Sequence, residues 1–309
     1  MNFDIGAQMK AFVNVGDIMD FLSWEAVIYL IAAFILLWIG KLINDIVTPY
    51  KIDEELTGKD NKALAVSFIG YIIAVVIIIV GVLSETTALG AATGLTFAQR
   101  IRIVGFELID IAIWSVVGIL LLIVSRFLND KLILSKFDNV KEIIEDRNVG
   151  TGAVQFGTYI GTAFIIKAVI FGESSHWLSD VIGTALFFIL AQLAFVVFGA
   201  VYQKITSYDI HAEIEKDNVA AGVGFGLHLA AMGIILSSAI EKSDSLIILV
   251  LWFVEGVVLL LITRVLVDKI ILPGHKLNDE IAKDQNWGAA LISGGVAILI
   301  AFLLNASFA

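Results

Sequence analysis

Cysteine is absent from this sequence, proline occurs twice and histidine four times. Without cysteine there is no disulfide, thiolate metal site or cysteine nucleophile. His176, His211, His228 and His275 are dispersed, and no hydrolase constellation or phosphate-binding Gly loop accompanies them, so no catalytic residue, metal or cofactor is expected. Charged residues make up only 16% of the chain and the net charge is −10, which disfavours a nucleic-acid partner. The N-terminal stretch sets Asp4, Asp17 and Asp20 against Lys10 alone, so it lacks the basic n-region of a cleavable signal peptide and is expected to stay. Its Phe3, Ile5, Met9, Phe12 and Val13 leave two readings for 1–23, an interfacial helix or a frayed tail.

What the chain has in abundance is apolar surface: 59% of its residues, with a mean hydropathy of +0.94. A soluble core cannot absorb that much. A helix needs about 20 mostly apolar residues to span a bilayer. Eight runs approach or meet this length, at 24–43, 63–84, 104–128, 149–171, 177–201, 219–240, 245–267 and 287–308. They are continuous rather than alternating, which favours helices over a barrel. The expected fold is therefore an all-α membrane protein of about eight transmembrane helices in the lipid bilayer.

One signature recurs four times: a charged loop, an Asn, then small residues two and four positions later. The copies are Asn61 with Ala63 and Ala65, Asn148 with Gly150 and Gly152, Asn218 with Ala220 and Gly222, and Asn286 with Gly288 and Ala290. A further small residue follows at Gly70, Gly157, Gly226 and Gly295, and a glutamate precedes each Asn at Glu55, Glu142, Glu213 and Glu280. The helix before each loop ends in Lys41 and Asp45, Arg126 and Asp130, or Arg264 and Asp268, spaced for a local ion pair. The third copy offers only Gln203 and Lys204. Each unit is thus helix, charged loop, Asn-led helix. Because a unit holds two spans, all four enter the membrane in the same direction, as parallel pseudo-repeats. Most of the 20 Lys and Arg residues flank the loops inside the units, which predicts cytoplasmic loops and both termini outside.

This pattern resembles the bacterial inner-membrane proteins grouped as domain-of-unknown-function family 350. The resemblance implies two tandem four-helix units, at 24–172 and 177–309 after the segment 1–23. It also implies a bacterial inner-membrane location and a genomic link to envelope-stress systems. It supplies no activity.

Three groups of residues are candidates for function. Asn61, Asn148, Asn218 and Asn286 stand where a loop becomes a helix, and they read either as N-caps or as a polar ring around one axis. The small residues Gly70, Gly150, Gly152, Gly157, Gly222, Gly226, Gly288 and Gly295 read as close-packing positions. His228 and Glu255 both fall about 14–15 Å from the loop boundary at 1.5 Å per residue. On antiparallel neighbours they would form a protonatable pair for proton or cation passage, or a neutral hydrogen-bonded pair. Two functional classes follow, a channel or transporter for protons or small ions and a scaffold that recruits a cytoplasmic partner through its loops. A homo-oligomer is compatible with both.

Overall fold

The computed structural model describes residues 24–85, 95–170 and 177–308; the segment 1–23 lies outside them. Eight long apolar helices fall where the runs predict, because in lipid the backbone must satisfy its own hydrogen bonds. They are α1 (Trp24–Val47), α2 (Lys62–Glu85), α3 (Phe97–Leu132), α5 (Val149–Ile170), α6 (Trp177–Ile205), α8 (Val219–Lys242), α9 (Leu246–Leu266) and α11 (Trp287–Ser307). Three short helices cross the loops, α4 (Asn139–Ile144), α7 (Ile210–Glu215) and α10 (Leu277–Ala282), and a π-helical turn (Glu54–Gly58) fills that place in the first loop. No strand occurs among the described residues.

The four Asn-led helices pack in a row. α5 lies between α2 and α8, and α8 between α5 and α11. The first helix of each pair lies along this row: α3 contacts α2 and α5, α6 contacts α5 and α8, and α9 contacts α8 and α11. α1 sits on α2 and α3 at one end. α5 and α8 are buried almost throughout. α1 and α9, by contrast, present Leu30, Phe34 and Trp38, or Ile247, Val250 and Val254, outward, as lipid-facing helices do.

Small residues make the row possible. A Cβ added to Gly157 would fall 1.9 Å from the Gly226 carbonyl oxygen, and one on Gly222 would fall 2.2 Å from that of Gly150. Gly152 faces the Ala63 backbone and Gly70 faces Phe156 in the same way. These contacts join residues at matching depth in successive units, as parallel repeats require. With no hydrophobic driving force between helices in lipid, such backbone contact is what holds them together. Gly288 and Gly295 behave differently from the expectation: among the described residues an added Cβ at Gly288 would meet only its own Asn286, and one at Gly295 would meet nothing within 4 Å. They belong to α11, which ends the row.

Candidate functional site

Each signature Asn is held the same way. The residue before it, Asp60, Arg147, Asp217 or Gln285, adopts a positive φ of 48–60°, which turns the chain sharply from loop into helix at some cost in backbone strain. The turn points the Asn N–H back at the signature glutamate. Asn61, Asn148, Asn218 and Asn286 donate it to the carbonyls of Glu55, Glu142, Glu213 and Glu280 at 2.8–3.0 Å. The Asn side-chain oxygen then caps the new helix, accepting from Leu64, Thr151, Ala221 and Ala289 N–H groups. In three units the amide also donates to the glutamate carboxylate: Asn148 to Glu142 at 2.8 Å, Asn218 to Glu213 at 3.1 Å and Asn286 to Glu280 at 2.7 Å. These bonds explain why the glutamate and the asparagine recur together.

The remaining donor leaves the unit. Asn61 donates to the Ile143 carbonyl at 2.8 Å, Asn148 to Ile214 at 2.5 Å and Asn218 to Ile281 at 2.9 Å. Each acceptor directly follows the glutamate of the next unit. The asparagines are therefore a relay, each reaching one unit onward, and not a ring around a shared axis. Because the units stand in a row, the amides have no common centre to face. Asn61, Asn148 and Asn218 are at most 1% exposed, whereas Asn286 is exposed and has no onward acceptor among the described residues. Burial pushes the Glu142 carboxyl up, while the Lys59 ammonium bonded to Glu55 holds that carboxyl below the ordinary range.

The relay predicts a ranking. An N-cap is worth about 1 kcal/mol, and a buried acceptor left without its donor costs about 1–3 kcal/mol more. Asn148→Ala and Asn218→Ala should therefore lose about 2–4 kcal/mol, and Asn286→Ala about 1 kcal/mol or less. Denaturant midpoints in detergent micelles check the order; equal losses at all four sites would remove the relay's onward bond from the account.

A second set of buried polar groups lies where the first helices reach the loops. Arg126 Nη1 donates to Asn44 at 3.2 Å and Nη2 to the Tyr50 hydroxyl at 3.3 Å. Asp130, four residues on, accepts from Gln155 at 3.1 Å, and the Gln155 carbonyl accepts from Ser67 at 2.6 Å. In the second half Arg264 repeats the role, donating to the Tyr202 hydroxyl at 2.6 Å and to Asn278 at 2.5 Å. Between the halves no arginine reaches across; Gln192 donates to Asn129 at 2.7 Å instead. The first and second units are thus clamped by one arginine and the third and fourth by another, while the middle junction is bridged by Gln192 with Asn129 and by the ion pairs of Lys136 with Asp209 and Lys167 with Glu241.

That division has a counterpart among known proteins. The pattern of a family described as Domain of Unknown Function (DUF350) matches residues 15–170 and again 176–308. The chain belongs to the DUF350 family. Two relatives similar to it are a UPF0719 transmembrane protein of Aquifex aeolicus (strain VF5) and the UPF0719 transmembrane protein YshE of Bacillus subtilis (strain 168). The first is 25% identical over 187 residues, 59% of this chain and 67% of the relative. The second is 27% identical over 133 residues, 43% of this chain and 98% of the relative. No solved structure matches.

In this DUF350 chain the structure does not bring His228 to Glu255. Gly256 packs against Met232 and Ile235 of α8, which leaves His228 four to seven residues, or roughly 6–10 Å, nearer the loops. His228 is fully buried, with Nδ1 2.7 Å from the Gly224 carbonyl and 3.4 Å from the Tyr202 hydroxyl. The carbonyl fixes the tautomer with the proton on Nδ1. Glu255 is half-buried on α9 and has no hydrogen-bond partner among the described residues. Sequence reasoning missed Tyr202, which joins His228 to Arg264. The signal was available: Thr48 and Thr206 both bond the carbonyl two residues on, those of Tyr50 and Tyr208. Aligning on this Thr-x-Tyr places Gly199 where the other units hold a basic residue and Gln203 where they hold Asp.

Proposed function

We propose that this chain is a non-transporting scaffold of the bacterial plasma (inner) membrane that holds a cytoplasmic protein at its four charged loops. One observation carries the reading: at the middle of the bundle Gly157 meets Gly226 and Gly161 meets Gly233 backbone to backbone, which leaves no lumen between α5 and α8. Of the four amides that would have lined a conducting ring, three join one unit to the next and the fourth bonds Glu280 of its own unit. The concentration of Lys and Arg at the loops supports a cytoplasmic loop face, with both termini on the other side. On it acids and bases interleave, as in the exposed pairs Lys136 with Asp209, Lys141 with Asp146 and Lys283 with Asp279. Such mixed charge suits a protein surface better than anionic lipid, which calls for clustered basic residues.

Two measurements test the reading. Proteoliposomes carrying a pH-sensitive dye and a potassium gradient should leak no faster than empty liposomes. Flux that disappears on replacing His228 and Glu255 would overturn the scaffold and restore the transport class. A photo-crosslinking residue in place of Lys141 or Lys283 should trap one defined cytoplasmic protein in native membranes; trapping lipid alone would also sink it.

A further inference from the structure

We propose that copies of this chain assemble head to tail, with α11 of one copy seated in the groove between α1 and α2 of the next. Within the chain one junction is used three times, and at each end of the row half of that junction is left over.

The hydrogen-bonding halves come first. Asn61, Asn148 and Asn218 each donate to a carbonyl one unit onward. Asn286 has the same turn, the same cap and the same glutamate, but its amide is exposed and bonds only Glu280. At the opposite end Leu56 follows Glu55 as Ile143, Ile214 and Ile281 follow their glutamates, and among the described residues no side chain donates to its carbonyl. A donor without an acceptor and an acceptor without a donor stand at matching depth on the two end units.

The packing halves agree. In the first two internal junctions the residue two positions after one Asn meets the residue four positions after the next: Ala63 meets Gly152, and Gly150 meets Gly222. The residue nine positions on meets the one eight positions on: Gly70 meets Phe156, and Gly157 meets Gly226. In the last unit these outgoing positions are Gly288 and Gly295, with no neighbour from elsewhere among the described residues within 4 Å. The incoming positions of the first unit are Ala65 and Ile69, both exposed.

A third, independent contact settles which surfaces correspond. Ile78, seventeen positions after Asn61, presses on Gly118 between Ile166 and Ile170. Ile235, seventeen after Asn218, presses on Gly256, the equivalent residue of the next first helix. Translated to the free end of the first unit, that socket is Ala33, Ile79 and Leu83. These three residues line an open apolar cavity of about 440 Å³ between α1 and α2. The knob seventeen positions after Asn286 is Leu303, 64% exposed. A second copy therefore brings the residue that the cavity lacks, in the register the internal junctions use. Because the two surfaces differ, the contact is heterologous, and it closes into a ring or continues as a filament according to the rotation per copy.

The chain has no cysteine of its own, which makes cross-linking direct. Gly295→Cys on one tagged copy and Ile69→Cys on a differently tagged copy should give a species carrying both tags on oxidation in native membranes. Ile247→Cys on the outward face of α9, paired with Ile69→Cys, should give none. Gly295→Leu should reduce the mass of the purified full-length protein in nanodiscs to that of one chain while leaving its melting temperature unchanged, since none of the described residues of its own chain would touch the new Cβ within 4 Å. A wild-type mass of one chain, or cross-linking only between two Gly295→Cys copies, would overturn the proposal, leaving lipid or a symmetric partner as the occupant.

Discussion

Gly157→Leu is expected to abolish most folded protein, while Gly105→Leu, on the exposed face of α3 in the same unit, is expected to change nothing measurable. The contrast rests on space. A Cβ at Gly157 would lie 1.9 Å from the Gly226 carbonyl oxygen, 2.2 Å from its carbon and 2.5 Å from its Cα. All three are backbone atoms, so no side-chain rotation relieves the clash, and α5 and α8 would have to separate along their whole contact. Overpacking a tight core usually costs about 1–3 kcal/mol and more where the backbone must move; here a loss above about 3 kcal/mol is expected. Around Gly105 none of the described residues would meet an added Cβ within 4 Å. Size-exclusion profiles and melting curves in detergent check both. A Gly157→Leu protein as stable as wild type would mean that the α5–α8 interface is not in backbone contact.

The second large effect is expected at Arg264. Its guanidinium donates to Tyr202 and Asn278 and lies 5.2 Å from the centre of the Tyr202 ring, with only 8% of the residue exposed. Hydrogen bonds from a charged donor are worth about 1.5–3 kcal/mol each, and Arg264→Met leaves the buried Tyr202 hydroxyl with only the long contact to His228. A loss of about 2–4 kcal/mol follows. Arg264→Lys keeps the charge but not the planar fork that reaches both partners, so it should recover less than half. Adding Tyr202→Phe to Arg264→Met should cost less than the two single losses together, because the residues share one interaction. Additivity would place Arg264 outside the clamp described here.

Much of this architecture was readable in the sequence because lipid imposes a simple length rule. Every run near 20 apolar residues became a helix at nearly the expected position, α1 at Trp24–Val47 and α11 at Trp287–Ser307 among them. The recurrence of Glu, Asn and small residues was readable too, since those residues are bound to one another inside each unit. What the residues do between units was not. A repeat defines the brick and leaves open the rotation from one brick to the next, so it does not separate a ring of Asn61, Asn148, Asn218 and Asn286 from the row that forms. Depth arithmetic failed for His228 and Glu255 for a related reason: counting from the loops ignores stagger and rotation, and here Ile235, not His228, is level with Gly256. The arginine clamps escaped because the third unit lacks a basic residue at Gly199 and is held by its neighbour's Arg264.

The turn that precedes each signature Asn leads into the same capped start in all four units, so the chain has a natural length increment. Gaining or losing one complete helix pair would bring together ends that already match, with every later segment still crossing the lipid in its former direction. Removing a single helix would reverse the parity of everything downstream, turning each remaining Asn and its glutamate toward the wrong aqueous compartment.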